Sequence, residues 1–76
     1  MSKTPIELEI IDIIRKKRES NNLSQAKLAN VLNVTPGYIG QIEMPNSPSM
    51  YSYNQLNQLA KYFCCSPQDF LPKKPL

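Results

Sequence analysis

The sequence predicts an all-α fold, a compact bundle of five short helices, and three observations support this prediction. Apolar residues recur at intervals of three and four in successive stretches, which places them on one side of a helix. A very short connection with Asn33 separates the second stretch from the third, and asparagine tolerates the left-handed backbone of a sharp turn. Residues that favour helix N-caps precede the five stretches: Thr4, Ser24, Thr35, Ser52 and Ser66.

The length and charge of the chain limit what kind of protein it is. A chain of 76 residues forms one domain with a small core, because a domain near this size buries only about 60% of its unfolded surface. We assign residues 1–72 to that domain and residues 73–76 to a short basic tail. The 9 lysines and arginines exceed the 6 acidic residues, and the net charge of +3 suits a polyanionic partner without proving one.

The first helix is predicted to begin with Thr4 as N-cap and Pro5 as its first residue, and to end near residues 20–22. The basic run of residues 15–18 lies late in the helix, where the dipole favours positive charge. Its members point in successive directions, so they do not form one patch. The apolar stripe of this helix consists of Ile6, Ile10, Ile13 and Ile14, with Ile11 at its margin.

The second and third helices are predicted over residues 24–32 and 35–43, with a very tight turn between them. The inner face of the second helix holds Leu28, Ala29 and Leu32. Ile39 and Ile42 form the inner face of the third helix.

Two further helices close the predicted bundle. Ser52 and Gln55 match a capping box at the start of the fourth helix. A short fifth helix carries Phe70 and Leu71 and is stopped by Pro72. The inward stripe of the fourth helix consists of Leu56, Leu59, Ala60 and Phe63.

The helix pair of residues 24–43 is the most informative part of the sequence. Two short helices joined by a tight turn form a rigid corner, and in the helix-turn-helix arrangement the second of them enters the major groove of DNA. The helix N-termini at Ser24 and Thr35 would offer backbone N–H groups to phosphates. Lys27, beside the first of these N-termini, is the lysine that we expect to contact a phosphate.

The outward face of the third helix carries Gly37, Gly40 and Gln41. Exposed helical glycines cost about 1 kcal/mol each relative to alanine; either bare backbone lets the helix sink into a groove, or this surface is unimportant. Gln41 is either a solvated side chain or a reader of adenine, whose N6 and N7 a glutamine can meet together. Tyr38, on the flank, either donates its hydroxyl to a phosphate, touches a thymine methyl, or packs its ring against the second helix.

Several short motifs in this helix pair carry a family resemblance. They are Ser24-Gln25-x-x-Leu28-Ala29, Asn33-Val34-Thr35 and Tyr38-Ile39-x-Gln41-Ile42-Glu43. Together with residues 56–60 and 66–71 they resemble the Cro/phage-repressor (xenobiotic-response-element) helix-turn-helix family of transcriptional regulators, over about residues 8–72. The resemblance implies a lambda-repressor-like DNA-binding domain.

The resemblance also implies roles for individual residues. Base-reading positions of the family correspond to Pro36, Gly37 and Gln41, and Gly40 shares their face. Pro36 and Gly37 carry no hydrogen-bonding side chain, so specificity would rest on Gln41, its neighbours and DNA shape. Gln25 matches a glutamine that binds a phosphate and steadies the recognition helix. Thr35 and Tyr38 occupy positions that lie against the DNA backbone, and the loop around Asn46 and Ser47 matches one that offers backbone N–H groups to phosphate.

One further pair follows from the resemblance. Arg18 and Glu43 match two residues that form an internal salt bridge between the first and third helices. This role is structural, although Arg18 could also touch a phosphate.

These observations favour a regulator, with repression as the preferred role, that binds double-stranded DNA sequence-specifically through the major groove. We expect a homodimer, because one recognition helix reads too few bases, with half-sites about 34 Å apart. The alternative is a protein-interaction module of the same fold, such as an antitoxin or a bridging coactivator with a protein partner. The poor hydrogen-bonding content of Pro36, Gly37 and Gly40 favours that alternative.

Other classes of function lack support in the sequence. There is no histidine, no glycine-rich phosphate loop and no spaced carboxylate cluster, so we expect no enzyme, no cofactor and no metal site. The adjacent Cys64 and Cys65 are expected to be partly buried free thiols. No stretch resembles a signal peptide or a membrane span, and the predicted location is the cytoplasm without a membrane partner.

Overall fold

A computed structural model describes residues 3–76 of the chain. Four α-helices and one 3₁₀ turn follow one another: α1 Pro5–Ser20, α2 Gln25–Leu32, α3 Pro36–Glu43, α4 Tyr53–Phe63 and the closing turn Pro67–Phe70. No strand occurs within the described residues. The predicted all-α class is therefore confirmed, with extents of 29 × 26 × 22 Å.

The helix starts follow the predicted N-caps. Each of the five capping side chains accepts a hydrogen bond from a backbone N–H two or three residues later. The predicted capping box of Ser52 and Gln55 is present, and Thr4 with Glu7 forms another that the sequence reading did not identify. These reciprocal bonds satisfy donors that a helix end otherwise leaves open.

Left-handed backbone residues end two of the helices. Asn33 has φ 58° and ψ 45°, as the tight turn requires, and the Val34 N–H donates to the Ala29 carbonyl at 2.9 Å. Cys64 ends α4 in the same conformation, with φ 57°. Both thiols are free, and Cys65 is partly buried against the core as expected. The expectation was wrong for Cys64, which is exposed at the left-handed residue that ends α4.

The fifth helix differs in kind from the prediction. It is a single 3₁₀ turn that contains Phe70, while Leu71 lies beyond it in extended backbone. Pro72 accounts for this, since the residue before a proline is driven out of helical geometry. Phe70 is fully buried and anchors the turn to the core, so the short element still closes the bundle.

The core is formed by the inner faces of all the elements. The predicted inner residues of α2 and α3 are buried, as are Leu56, Leu59 and Ala60 of α4, while Phe63 is half-buried. In α1, Ile10 and Ile14 are buried as predicted. The prediction was wrong at Ile6, which is 45% exposed in the first turn, and Ile11, placed at the margin, is 5% exposed and belongs to the core. The buried face of α1 thus contains Ile11 and also Arg18, which reaches across to α3.

Candidate nucleic-acid interface

The corner of α2 and α3 is fixed from behind by an ion pair between Arg18 and Glu43. Arg18 Nε and Nη2 donate to the two Glu43 carboxylate oxygens, each at 3.0 Å, and Nη1 donates to the Leu23 carbonyl at 2.8 Å. The Arg18 side chain is 11% exposed and that of Glu43 is 7% exposed. The salt bridge expected from the resemblance is thus present, and it ties the end of α1 to the end of α3 and to the start of α2.

Gln25 extends this network from the start of α2 to the end of α3. Its Nε2 donates to Glu43 Oε1 at 2.8 Å, although the side chain is exposed. Its Oε1 lies over Gly40, where a Cβ atom would sit 3.7 Å away. The amide therefore spans from α2 to α3 in a fixed orientation, and it retains a second N–H for an external acceptor.

The outward face of α3 shows few contacts with the rest of the chain. Pro36, Gly37 and Gln41 are exposed, and Gly40 is half-buried. A Cβ atom at Gly37 would meet no atom within 4 Å, and neither glycine has a positive φ. The fold itself therefore does not require glycine at position 37 or 40.

Two side chains on the flank of α3 are held by the segment that follows it. Ser49 Oγ donates to Gln41 Oε1 at 3.4 Å. The Tyr38 hydroxyl donates to the Met50 carbonyl at 3.3 Å, and its ring packs against the core. The ring-packing alternative thus describes Tyr38 in this structure, and its one hydroxyl proton is already engaged.

The N-termini of α2 and α3 meet in an open depression. Its lining includes Ser24, Lys27 and Pro36. Ser24 Oγ accepts the Lys27 N–H at 3.0 Å, and Thr35 Oγ1 accepts the Tyr38 N–H at 3.2 Å. The structure thus brings three of the predicted DNA-contacting residues to one shallow surface with two positive helix ends.

The turn after α3 is held by a residue that the sequence reading missed. Residues 44–47 form the turn, which the Ser47 N–H closes by donating to the Met44 carbonyl at 3.2 Å. Asn46 is exposed and Ser47 half-buried. The buried Lys3 donates from its ammonium to the carbonyls of Met44 and Ser47. No local pattern around Lys3 indicates this contact.

The basic run at the end of α1 takes little part in this surface. Arg15 and Lys16 both pair with Asp12, at 2.8 and 3.0 Å, and Arg18 pairs with Glu43. The Lys16 hydrogen bond is the main cause that lowers the pKa of the Asp12 carboxyl. Three of the four side chains of the run are thus engaged in ion pairs within the protein.

A second unpredicted feature is Tyr51, which lies behind the corner. It is 5% exposed, and its hydroxyl has no hydrogen-bond partner within the described residues. Burial, followed by the Glu43 carboxylate, raises the pKa of the Tyr51 phenol well above its usual range.

Within residues 3–76, no group of three histidine, cysteine or acidic residues is placed so that it could hold a metal ion.

The fold and this surface define a helix-turn-helix protein. The family model described as helix-turn-helix matches residues 14–70. The chain belongs to this family, the Cro/C1-type helix-turn-helix, which implies DNA binding and the regulation of transcription. A comparison with curated protein sequences gave no match.

Solved structures show the same fold in two settings. The restriction-modification controller protein C.AhdI from Aeromonas hydrophila matches with a TM-score of 0.71 and 22% identity, over 86% of this chain and 96% of the controller. Hydroxypropylphosphonic acid epoxidase from S. wedmorenis matches with a TM-score of 0.76 and 20% identity, over 92% of this chain. The present chain spans 36% of the epoxidase, so it corresponds to only part of that enzyme.

Among the described residues, no helix has the length and apolar character needed to cross a membrane.

Proposed function

We propose that this protein is a sequence-specific regulator, with repression as its role, that binds double-stranded DNA by inserting α3 into the major groove. The observation that carries the proposal is the corner of α2 and α3. Its inner side is locked by Arg18, Glu43 and Gln25, while its outer side presents exposed Gln41 and nearly bare backbone. A rigid helix whose outward face carries few bulky side chains is suited to enter the major groove.

In this proposal the DNA backbone is bound on both sides of α3. On one side lies the depression at the two helix N-termini, and on the other lies the turn of residues 44–47. Phosphate contacts fix the register of the protein on the duplex but carry no sequence information themselves. The residues proposed for these contacts are Ser24, Gln25, Lys27, Thr35, Asn46 and Ser47. Tyr38 belongs to this set only if its hydroxyl releases the Met50 carbonyl when DNA binds.

Base reading is assigned mainly to Gln41. Its amide can meet N6 and N7 of an adenine together, and Ser49 already touches its oxygen. Pro36, Gly37 and Gly40 contribute a low surface that lets the α3 backbone approach the bases. DNA shape then supplies the rest of the discrimination.

We further propose that the protein works as a homodimer in the cytoplasm, without catalytic activity of its own. Two recognition helices would bind half-sites about 34 Å apart, one turn of DNA. The likeness to a protein named as a controller, over nearly all of that protein, supports a regulatory role. The likeness to the epoxidase concerns a part of that chain and the fold alone.

Selection from a pool of random duplexes, followed by binding titrations of the enriched sequence, tests the proposal. We expect a two-fold symmetric motif, and an affinity that falls steeply with salt, by about 0.9 in log–log slope per phosphate contact. Gln41→Ala should relax the base preference at one position, whereas Gln25→Ala should weaken all duplexes alike. Gln58→Ala, at an exposed glutamine on α4, is the matched control. An unchanged motif with Gln41→Ala would refute the assignment of base reading.

The second candidate is a protein-interaction module of the same fold. Tyr53, at 91% exposure, and the half-exposed Tyr62 and Leu71 are apolar surfaces that DNA binding by α3 does not use. A stoichiometric protein complex, together with no retention of any duplex, would favour this candidate over the first.

A further inference from the structure

Lys3 is a buried cation just before the first helix. Its residue exposure is 6%, and it is the one lysine of the described residues in the core. Within residues 3–76, no carboxylate lies within ion-pair distance of it. Burial of an ammonium group is costly unless its N–H groups are satisfied, so its partners define its role.

Those partners all belong to the turn of residues 44–47. The ammonium donates to the Met44 carbonyl at 2.7 Å and to the Ser47 carbonyl, and the Lys3 backbone N–H donates to the Pro45 carbonyl at 3.3 Å. One residue therefore binds three of the four carbonyls of the turn. The contacts join positions more than 40 residues apart in the chain.

The position of this charge also matters electrostatically. Met44 is the C-cap of α3, where the helix dipole is negative, and a cation there is stabilising. Lys3 offsets the negative carbonyls on the inner side of the turn. The exposed Asn46 lies in the same turn, so a fixed positive charge stands behind a surface proposed to meet phosphate.

We propose that Lys3 is a positioning residue for DNA binding. It holds the turn of residues 44–47 in the shape in which Asn46 and Ser47 meet a phosphate, without touching the DNA itself. This inference rests on the proposed function, which assigns those two residues to phosphate contact. Lys3 thereby links the segment before α1 to the far side of the recognition helix.

The experiment compares Lys3→Met with Lys61→Met, which removes an exposed lysine on α4. In the free protein, amide hydrogen exchange at Ser47 and Ser49, whose N–H groups are hydrogen-bonded within this segment, should quicken about tenfold with Lys3→Met, because the turn loses its charged donor. Exchange at Leu28 and Ile39 should not change, which shows that the core remains folded. Lys3→Arg should restore slow exchange in part.

Binding titrations over a range of salt complete the test. With Lys3→Met, affinity should fall about tenfold for the selected duplex and for a scrambled one alike, while the log–log salt slope stays as in the wild type. A slope smaller by about 0.9 would mean direct phosphate contact and would overturn the positioning role. Equality with Lys61→Met in both exchange and affinity would overturn it as well.

The two proposals fail in different ways. If the wild-type chain retained no duplex at any salt concentration, the proposed function would be wrong, and with it the role of Lys3 in DNA binding. The exchange rates of the turn would still decide whether Lys3 holds it. If the wild type bound DNA and Lys3→Met bound equally well, only the inference about Lys3 would be wrong.

Discussion

The inner and outer sides of the α2–α3 corner differ sharply in how many interactions hold them. On the inner side, three hydrogen bonds between 2.8 and 3.0 Å join Arg18, Glu43 and Gln25, and a fourth joins Arg18 to the Leu23 carbonyl. On the outer side, a Cβ atom at Gly37 would meet no atom within 4 Å, and Gln41 has one long contact to Ser49. The difference indicates that the frame is fixed in the free protein, while the surface is left open for another molecule.

The inner side should be the most sensitive part of the corner. Replacing Glu43 with alanine removes both carboxylate bonds of the buried Arg18 guanidinium and leaves only the exposed Glu19 carboxylate, at 3.9 Å. This should cost about 3–5 kcal/mol in the free energy of unfolding. Urea unfolding measures this, with Glu9→Ala as the control at an exposed glutamate of α1. A loss similar to that of the control would mean that the network does not hold the corner.

The outer side should show the opposite behaviour. Gln41→Ala should leave the free energy of unfolding nearly unchanged, because the side chain is exposed. The variant should reduce the difference in binding free energy between the selected duplex and a duplex with one changed base by about 1–3 kcal/mol. Titrations with the two duplexes measure this difference. A large loss of stability would mean that Gln41 holds the corner together, as Arg18 and Glu43 do, rather than reading bases.

Substitution of Gly37 should change stability and DNA affinity in opposite directions. Because a Cβ atom there meets nothing, Gly37→Ala should stabilise the free protein by about 1 kcal/mol. If α3 approaches DNA closely, the same change should weaken binding to every duplex. Thermal unfolding and titration of the one variant give both values. Higher stability with unchanged affinity would favour the interpretation that this surface is unimportant.

Tyr51 offers a smaller effect behind the corner. Its buried hydroxyl lacks a partner within the described residues, so Tyr51→Phe should raise stability at neutral pH by up to about 1 kcal/mol. The pKa of this phenol is raised in the folded state. The folded protein therefore keeps a proton that the unfolded chain releases at about pH 10. The stability from this group is thus full below that pH and is lost as the pH rises further.

The pH dependence of stability gives a second test of the Tyr51→Phe variant. Between about pH 9 and pH 11, the wild type should lose more stability than Tyr51→Phe, because only the wild type carries the linked proton. Tyr53→Phe, at a nearly fully exposed tyrosine, should behave like the wild type. If the wild type and Tyr51→Phe lost stability equally over this pH range, the raised pKa of Tyr51 would be contradicted.

The sequence predicts those features that depend on neighbours along the chain. N-caps such as Ser52 act on a backbone N–H three residues away, and Asn33 needs only its own tolerance of left-handed backbone. These local preferences fix where the helices begin and end. The fold class and the corner of α2 and α3 follow from them.

Features that depend on distant contacts are where the prediction fails or stays silent. The buried face of α1 includes Arg18, whose partner Glu43 lies 25 residues away, and it contains Ile11 rather than Ile6. Lys3 binds a turn more than 40 residues away. The bond from Gln25 to Glu43, 18 residues away, agrees with the steadying role that the resemblance gives Gln25, but the residues alone did not predict it. Neither propensity nor periodicity contains such pairings.

Amide chemical shifts during titration with the selected duplex test most directly the claim that the open side of α3 reads DNA. If α3 enters the major groove, the largest changes should occur at Gly37, Gly40 and Gln41, with smaller ones at Lys27 and Asn46. Amides on the far side of the bundle, such as that of Lys61, should remain unshifted. Changes concentrated on α4 and the closing 3₁₀ turn, with none on α3, would show that α3 does not read DNA.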